Sequence, residues 1–292
     1  MKRWRLAGWW LSFALAGCAT VPGVVTDTAD GRKVEHALAG QGTPVVVFEN
    51  GLGARMDWWS KVWPDTAQET TALAYNRAGY GHSEASPAPR DGAHMVEELR
   101  ALLKARKLPP PYVLVGHSLG GLYMQLFARQ YPGEVAALVL VDSTHPDQVR
   151  GAGNPDRWPT WLKVAFRLST SDVAKQELAA LDATGQLVAS LPVDPSMPVF
   201  VLSALRATGA SPSALADDAN RKRAEIAHFY PGSTQVWVDS GHGIPLEKPE
   251  AVVQAIRDAV LAARAPRAAA PGCATAAGGL PGACTQGVQS GG

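Results

Sequence analysis

The chain has 292 residues, of which 46% are hydrophobic, so it can bury the core of one large domain or of two modest ones. Its 27 basic and 26 acidic residues nearly cancel, and this balance argues against nucleic-acid binding, which needs an excess of positive charge. No run of about 20 consecutive apolar residues occurs, which excludes a protein with several membrane-spanning helices. We therefore expect a globular protein that has no nucleic-acid partner.

The first residues have the features of a secretory signal peptide. Lys2, Arg3 and Arg5 form a basic start, and the apolar run over residues 6–16 is too short to span a bilayer. The run ends in Leu15-Ala16-Gly17-Cys18, which resembles the lipobox of bacterial lipoproteins. This resemblance implies cleavage after residue 17 and a diacylglyceryl group on the thiol of Cys18.

Such a lipid group would tie the protein to a membrane, because two acyl chains on one residue give stable anchoring. Ala19 stands where an inner-membrane retention signal would have Asp. The resemblance therefore implies an outer-membrane location, facing the periplasm or the cell surface, in a host that has such a membrane. The alternative is an ordinary signal peptide with an incidental cysteine.

Short apolar runs alternate with longer segments of helical period beyond residue 31. Near-continuous apolar runs of this length are typical of parallel strands that are buried on both faces. The predicted strands cover residues 45–48, 72–75, 112–115, 137–141, 199–202 and 235–238. The predicted helices cover residues 93–107, 118–131 and 250–264. This alternation indicates an α/β fold with a mostly parallel sheet flanked by helices.

Three further segments have distinct compositions. Residues 146–195 contain helical patterns over 158–168 and 172–187 but no convincing strand, so we expect a helical cap inserted after strand six, which is the predicted strand over residues 137–141. Residues 18–31 are interpreted as a linker, and residues 265–292, rich in Ala, Gly and Pro, as a disordered tail. Cys273 and Cys284 in that tail either form a disulfide or remain free thiols.

Gly116-His117-Ser118-Leu119-Gly120 follows a predicted strand and opens a predicted helix. Gly-x-Ser-x-Gly in this setting is typical of a nucleophile on a sharp turn, where small residues allow the serine hydroxyl to stand clear of the sheet. The start of the helix also offers unpaired N–H groups, which suit a developing oxyanion. The alternative is a serine that caps an ordinary helix.

These motifs, taken in order, resemble the α/β-hydrolase family over residues 32–264. Residues 48–53 occupy the place of the family's oxyanion loop, residues 75–83 resemble its structural turn after the next strand, and Ser118 matches its nucleophile. The resemblance implies the α/β-hydrolase fold, an activity that needs no cofactor or metal, and an oxyanion hole formed by the backbone N–H groups of Leu52 and Leu119.

The general base is predicted to be His242. It lies between two glycines in a loop after the last predicted strand, as the family's catalytic histidine does. Four other histidines lie in strand, turn or surface-helix contexts: His36, His82, His94 and His228. His145 lies near a candidate acid but not on a loop that the family uses for the base, and His117 lies within the nucleophile turn, where we expect it to point elsewhere.

The acid is less clear from the sequence. Most family members place it after strand seven, which here is the predicted strand over residues 199–202, yet residues 203–216 contain neither Asp nor Glu. Asp142, at the end of strand six (residues 137–141), is the preferred alternative, because the carboxyl ends of neighbouring parallel strands face one crevice. Asp217, Asp218, another carboxylate or none at all remain open.

Together these residues predict a serine esterase in which Ser118 attacks, His242 transfers the proton and Asp142 orients the imidazole. The expected partner is a small or medium apolar ester. Tryptophans at positions 58, 59, 63, 158 and 161 either line an acyl pocket or belong to the core. The alternatives are a cofactor-free perhydrolase or haloperoxidase, and a catalytically silent hydrolase fold that acts as a surface binding lipoprotein.

Overall fold

The computed structural model describes residues 20–206 and 213–265. Eight strands in this part of the chain form one sheet: β1 (Val24–Ala29), β2 (Arg32–Ala39), β3 (Val45–Glu49), β4 (Ala72–Tyr75), β5 (Tyr112–His117), β6 (Val135–Val141), β7 (Val199–Ala204) and β8 (Thr234–Val238). Their order is β1-β2-β4-β3-β5-β6-β7-β8. β2 pairs antiparallel with β1 and β4, whereas all other neighbours are parallel. The predicted mostly parallel sheet is confirmed.

Helices cover both faces of this sheet. They are α1 (Trp63–Glu69), α2 (Gly92–Ala105), α3 (Leu119–Gln130), α4 (Thr160–Ser169), α5 (Asp172–Ala179), α6 (Leu181–Ser190), α7 (Ala214–Glu225), α8 (Ile244–Glu247) and α9 (Pro249–Arg264). Successive side chains of β5 belong to opposite cores: Leu114 packs in the core that contains α2 and α3, and Val113 and Val115 pack in the core that contains α1 and α9. Burial on both faces explains the continuous apolar runs of the central strands.

The first two strands form a hairpin that the sequence prediction missed. Residues 24–29, interpreted as part of a linker over 18–31, pair instead with β2. The turn consists of Asp30 and Gly31, both with positive φ (48° and 75°), as in the two-residue turns that match the twist of a hairpin. β1 is an edge strand and mostly exposed, so it lacks the apolar run that marks the central strands. The Asp-Gly pair was the available signal.

The segment between β6 and β7 is helical, as predicted for a cap. It contains α4, α5, α6 and two short 3-10 helices, and the structure places no strand in it. The pattern over residues 172–187 is two helices, because the chain bends at Ala180 between α5 and α6. Leu181 and Val188 of α6 join the core beside α3, which fixes the cap onto the sheet domain.

Several sequence predictions lie outside the described residues: the signal peptide, Cys18, the tail from residue 266 onward, and the pair Cys273 and Cys284. They stay predictions. Among the helices that the structure describes, none combines the length and apolar character needed to cross a bilayer.

Candidate active site

Ser118 lies on the sharp turn between β5 and α3. Its backbone has φ 54° and ψ −124°, a conformation that residues other than glycine rarely adopt. Three backbone hydrogen bonds hold the residue there: its N–H donates to Val141 O (3.1 Å), and its carbonyl accepts from the N–H groups of Gly121 and Thr144 (both 2.9 Å). The strained turn is therefore stabilised by the neighbouring end of β6.

The glycines of Gly-x-Ser-x-Gly are required by close backbone approaches. A Cβ on Gly120 would lie 2.4 Å from the carbonyl oxygen of Glu49, and one on Gly116 would lie 2.6 Å from the carbonyl oxygen of Gly120. Both distances are far below van der Waals contact with backbone atoms that cannot move aside. The motif therefore reflects the packing of this turn against β3 and α3.

His242 reaches Ser118 from the loop between β8 and α8. Its Nε2 lies 2.9 Å from Ser118 Oγ, and its Nδ1 lies 2.6 Å from Asp142 Oδ2. Because an ionised carboxylate can only accept, the ring donates through Nδ1, and the Nδ1–H tautomer has Nε2 available to accept from the serine hydroxyl. The structure thus brings together the three side chains that the sequence analysis selected.

Asp142 directly follows β6 and is fully buried. Its Oδ1 accepts from the backbone N–H of Ala204 (3.0 Å) and from Arg223 Nε (2.8 Å), which leaves Oδ2 for His242. Burial alone would raise the pKa of this carboxyl, but the hydrogen bond and charge of His242, together with Arg223 and the Ala204 N–H, lower the pKa below its ordinary value. Asp142 therefore stays ionised beside the imidazole at neutral pH.

The alternative acids lie on α7. Asp217 is in the first turn of that helix, and Asp218 forms ion pairs with Arg221 and Lys222 of the same helix. What α7 contributes to the site is Arg223, whose guanidinium also donates to the carbonyl of Ala204 (3.1 Å). The sequence analysis missed Arg223, because no local pattern links it to Asp142, which lies 81 positions earlier in the chain.

The sequence predicts that His117 points away from the site, and this prediction is wrong. Its ring is buried, stacks on Trp58 with centroids 5.1 Å apart, and donates through Nε2 to the carbonyl of His242 (2.8 Å). Burial and the neighbouring His242 lower the pKa of His117 to about 3, so the ring is neutral at pH 7. His117 therefore supports the backbone of His242 without adding charge.

A pocket of about 330 Å³ opens beside Ser118 and His242. Leu52 and Leu119, the predicted oxyanion-hole residues, are both on its wall. Its other apolar walls come from the cap and from α7: Val149, Trp158, Leu178, Leu181, Leu215 and Ala219. The cap therefore forms much of the space in which a substrate would lie.

Three of the five tryptophans fit one of the two interpretations given above, and Trp58 and Trp161 fit neither. Trp59 and Trp63 are buried in the core against Phe48, whereas Trp158 lines the pocket at Ser118. Trp58 stacks on His117, and Trp161 is 71% exposed on α4. Within the described residues, no cluster of three or more His, Cys, Asp or Glu side chains has the arrangement of a metal site.

Comparison with known families places the fold. Residues 44–263 match the family described as alpha/beta hydrolase fold. The chain belongs to the alpha/beta hydrolase family. Similar curated proteins include the uncharacterized protein YqjL of Bacillus subtilis, 35% identical over 119 residues (40% of this chain and 47% of YqjL), and YbdG of the same species, 32% identical over 128 residues (43% and 39%). These matches thus span less than half the length of either relative.

Solved structures of other alpha/beta hydrolases are similar over most of this chain. An enol-lactonase from Burkholderia xenovorans has 17% identity and a TM-score of 0.55 (81% of this chain, 100% of that one). A thermophilic esterase from Thermogutta terrifontis has 23% identity and a TM-score of 0.55 (83% and 99%). A mutant of a putative epoxide hydrolase from Pseudomonas aeruginosa has 16% identity and a TM-score of 0.60 (84% and 98%). At such identities the likeness concerns the fold, and the family supports hydrolase activity.

Proposed function

We propose that this alpha/beta hydrolase cleaves a carboxylic ester through an acyl-enzyme on Ser118. The observation that supports this most directly is the continuous chain of contacts from Ser118 Oγ through His242 to Asp142, at 2.9 and 2.6 Å. A serine hydroxyl is a weak nucleophile until an adjacent imidazole removes its proton, and the carboxylate holds that imidazole in the required tautomer.

The first half-reaction forms the acyl-enzyme. Ser118 Oγ attacks the ester carbonyl carbon while His242 Nε2 takes the hydroxyl proton. The resulting tetrahedral oxyanion is held by the N–H groups of Leu52 and Leu119, each worth about 3 kcal/mol on the scale of other oxyanion-hole donors. His242 then protonates the departing alcohol oxygen, and the carbon–oxygen bond of the ester breaks.

The second half-reaction releases the acid. His242 removes a proton from water, whose oxygen attacks the acyl carbon, and the second tetrahedral intermediate collapses with return of the proton to Ser118. These steps need no redox partner, and the proton moves between Ser118 and His242, whose Oγ and Nε2 are 2.9 Å apart.

The pocket supports an apolar ester as the substrate. Its apolar walls are leucine, valine, tryptophan and alanine side chains, against which an apolar group of the substrate would be shielded from water. A serine in the nucleophile position favours ester hydrolysis over the epoxide hydrolase and haloalkane dehalogenase chemistries, because members of the family with those activities use Asp there.

The proposal is tested with p-nitrophenyl esters of increasing acyl chain length. We expect turnover by the wild-type protein, and we expect Ser118→Ala and His242→Ala each to lose it by a factor on the order of 10⁴ or more. The double variant should be no worse than either single one, because the members of such a unit do not act additively. A Ser118→Ala variant that keeps most of its turnover would contradict both the nucleophile and the reaction class.

The alternatives predict different outcomes in the same assay. A silent binding lipoprotein would show no Ser118-dependent turnover. The missing acid after β7 favours this alternative, whereas the contact between Asp142 and His242 supports the esterase. A perhydrolase would use the same side chains, and a reaction that requires hydrogen peroxide as a second substrate would identify it.

We also propose that Cys18 carries the lipid that anchors the protein to a membrane, facing the periplasm or the cell surface. The support is the basic start and the apolar run that ends in Leu15-Ala16-Gly17-Cys18. Cys18→Ser should prevent processing and lipid attachment, and unchanged membrane fractionation and processing in that variant would contradict the proposal.

A further inference from the structure

A fully buried ionic cluster lies behind the loop that connects β3 to the pocket. Its centre is Arg77, which follows β4 and lies in residues 75–83, the segment that resembles the family's structural turn. Arg77 meets Glu177 of the cap helix α5 and Glu49 at the end of β3, with side chains at most 2% exposed. Removing such ionic groups from water costs free energy, and only well-placed hydrogen bonds can offset that cost.

All five N–H donors of Arg77 are used. Nε and Nη2 donate to the two oxygens of Glu177 (2.8 and 2.9 Å), and Nη1 donates to Glu49 Oε1 (2.7 Å). The two remaining donors bind backbone carbonyls of the oxyanion loop, those of Asn50 (2.6 Å) and Gly51 (2.9 Å). One guanidinium thus joins the cap, the sheet and the loop in a single fork.

The carbonyl of Gly51 belongs to the same peptide unit as the N–H of Leu52, the proposed oxyanion donor. This peptide is trans, so the two groups point in opposite directions from one plane. When Arg77 binds the Gly51 carbonyl, it therefore sets the direction of the Leu52 N–H. The positive charge also polarises the peptide and makes its N–H a stronger donor.

Glu177 secures the other side of Leu52 as well. Its Oε2 accepts from the hydroxyl of Tyr80 (2.8 Å), and that hydroxyl oxygen accepts from the N–H of Gly53 (3.4 Å). The residues before and after Leu52 are thus held by Arg77 and Tyr80, and both of these bind the same cap carboxylate.

We propose that Glu177 and Arg77 are positioning residues through which the cap orients the Leu52 N–H toward the oxyanion. The inference rests on the proposed function, since it presumes that an oxyanion forms at Ser118. A cap that is docked with Glu177 in place gives a complete oxyanion hole, and a displaced cap leaves the Gly51–Leu52 peptide free to turn. The cap therefore contributes to the rate of the reaction as well as to the walls of the pocket.

The test uses Glu177→Gln and Arg77→Lys, with rates normalised to active sites titrated with a fluorophosphonate. Glu177→Gln is isosteric but presents an amide N–H to the guanidinium, and Arg77→Lys keeps the charge but has three donors for five acceptors. We expect kcat per titrated site to fall about 10-fold and about 100-fold respectively with KM nearly unchanged, since loss of a whole donor costs about 10² to 10³.

A second readout separates positioning from stability. A boronic acid that forms a tetrahedral adduct on Ser118 places an oxygen in the oxyanion hole, so its inhibition constant should rise by the same factor as kcat/KM falls. The control is Arg129→Lys, because Arg129 of α3 is also a buried arginine that binds the cap, through the carbonyls of Val188 (2.7 Å) and Leu191 (3.2 Å), without touching the oxyanion loop. It should change both quantities by less than about twofold.

The outcomes are distinct. Unchanged kcat per site and inhibition constant in both variants would overturn the inference, and so would equal losses in Arg129→Lys, because any loosening of the cap would then suffice. A wild-type protein without Ser118-dependent turnover would overturn the proposed function, and this inference with it.

Discussion

Two buried carboxylates lie in different parts of the site, and each is paired with an arginine at 2.8 Å: Asp142, beside His242, with Arg223, and Glu177, behind the loop of residues 48–53, with Arg77. They differ in whether a carboxylate oxygen remains for a partner other than the arginine and the backbone. Asp142 gives one oxygen to Arg223 and the backbone and keeps the other for His242, whereas both oxygens of Glu177 are bound by Arg77. Burial and an arginine partner therefore do not distinguish a carboxylate with a chemical role from one with a positioning role. A carboxylate oxygen that remains free to bind a reacting group does.

The largest effect on ester turnover should come from changing Asp142, whose Oδ2 faces His242. Asp142→Asn keeps the shape of the side chain, but an amide can donate to Nδ1 and favour the wrong imidazole tautomer, an effect of about 10⁴ on kcat in serine proteases. We expect a loss of that order in ester turnover, with the fold retained by circular dichroism. Asp218→Asn, the matched change on α7, should stay close to wild type. If Asp218→Asn lost its ester turnover while Asp142→Asn kept it, the assignment of the acid would be reversed.

A smaller effect should come from the arginine behind Asp142. Arg223→Gln removes a charge that helps to lower the pKa of Asp142, so that pKa should rise and the carboxylate should protonate at a higher pH. We expect kcat to fall about 10-fold at neutral pH, the scale of a lost charged hydrogen bond, with a larger loss at pH 5 than at pH 8. The measurement is a pH–rate profile.

The control for that experiment lies on the same helix. Arg221→Gln removes an exposed arginine that pairs with Asp218 and Glu225, and its profile should overlay that of the wild type. Equal profiles for the Arg223 and Arg221 variants would show that the charge behind Asp142 has no part in the reaction.

The last effect is on stability rather than on rate, and it concerns His117, which is buried beside His242 without a carboxylate of its own. Its pKa is about 3 in the folded protein against about 6.5 in an unfolded chain, so the unfolded state binds the extra proton between these values. The stabilisation is complete above pH 6.5 and is lost as the pH falls toward 3. This residue should cost about 2 kcal/mol of unfolding free energy between pH 7 and pH 5.

His117→Gln keeps a donor for the carbonyl of His242 but does not titrate. In urea unfolding it should lose about 2 kcal/mol less than the wild type over that pH interval. His228→Gln, at an exposed site, should follow the wild type. A variant at position 117 that tracks the wild type would mean that His117 is not held neutral by the fold.

What could be predicted from the sequence depended on local patterns. Ser118 stands in a pentapeptide with steric requirements, and Asp142 ends a strand whose carboxyl end faces the same crevice. His242 lies between two glycines after the last strand, where the catalytic histidine of the resembled family lies. The central strands were found because burial on both faces makes their residues continuously apolar. The exposed edge strand β1 has no such run, and only its Asp-Gly turn marked it.

The remaining parts of the site depend on contacts between residues that are far apart in the chain. Arg77 and Glu177 are separated by 100 positions. Arg223 contacts Asp142 from α7, the helix on which the sequence suggested only Asp217 and Asp218 as candidates. His117 was misjudged because the direction of a side chain in a strained turn follows from tertiary packing rather than from the motif. The motif located the reacting groups, and the fold determined which charged residues support them.

The central claim is that Ser118 is the nucleophile, and trapping the covalent adduct tests it most directly. The wild-type protein is incubated with a fluorophosphonate, digested and mapped by mass spectrometry, with His242→Ala as the comparison because it keeps the hydroxyl but lacks the base. We predict a single adduct on Ser118 in the wild type and far slower labelling in His242→Ala. An adduct on another residue, or ester turnover that survives complete labelling of Ser118, would contradict it.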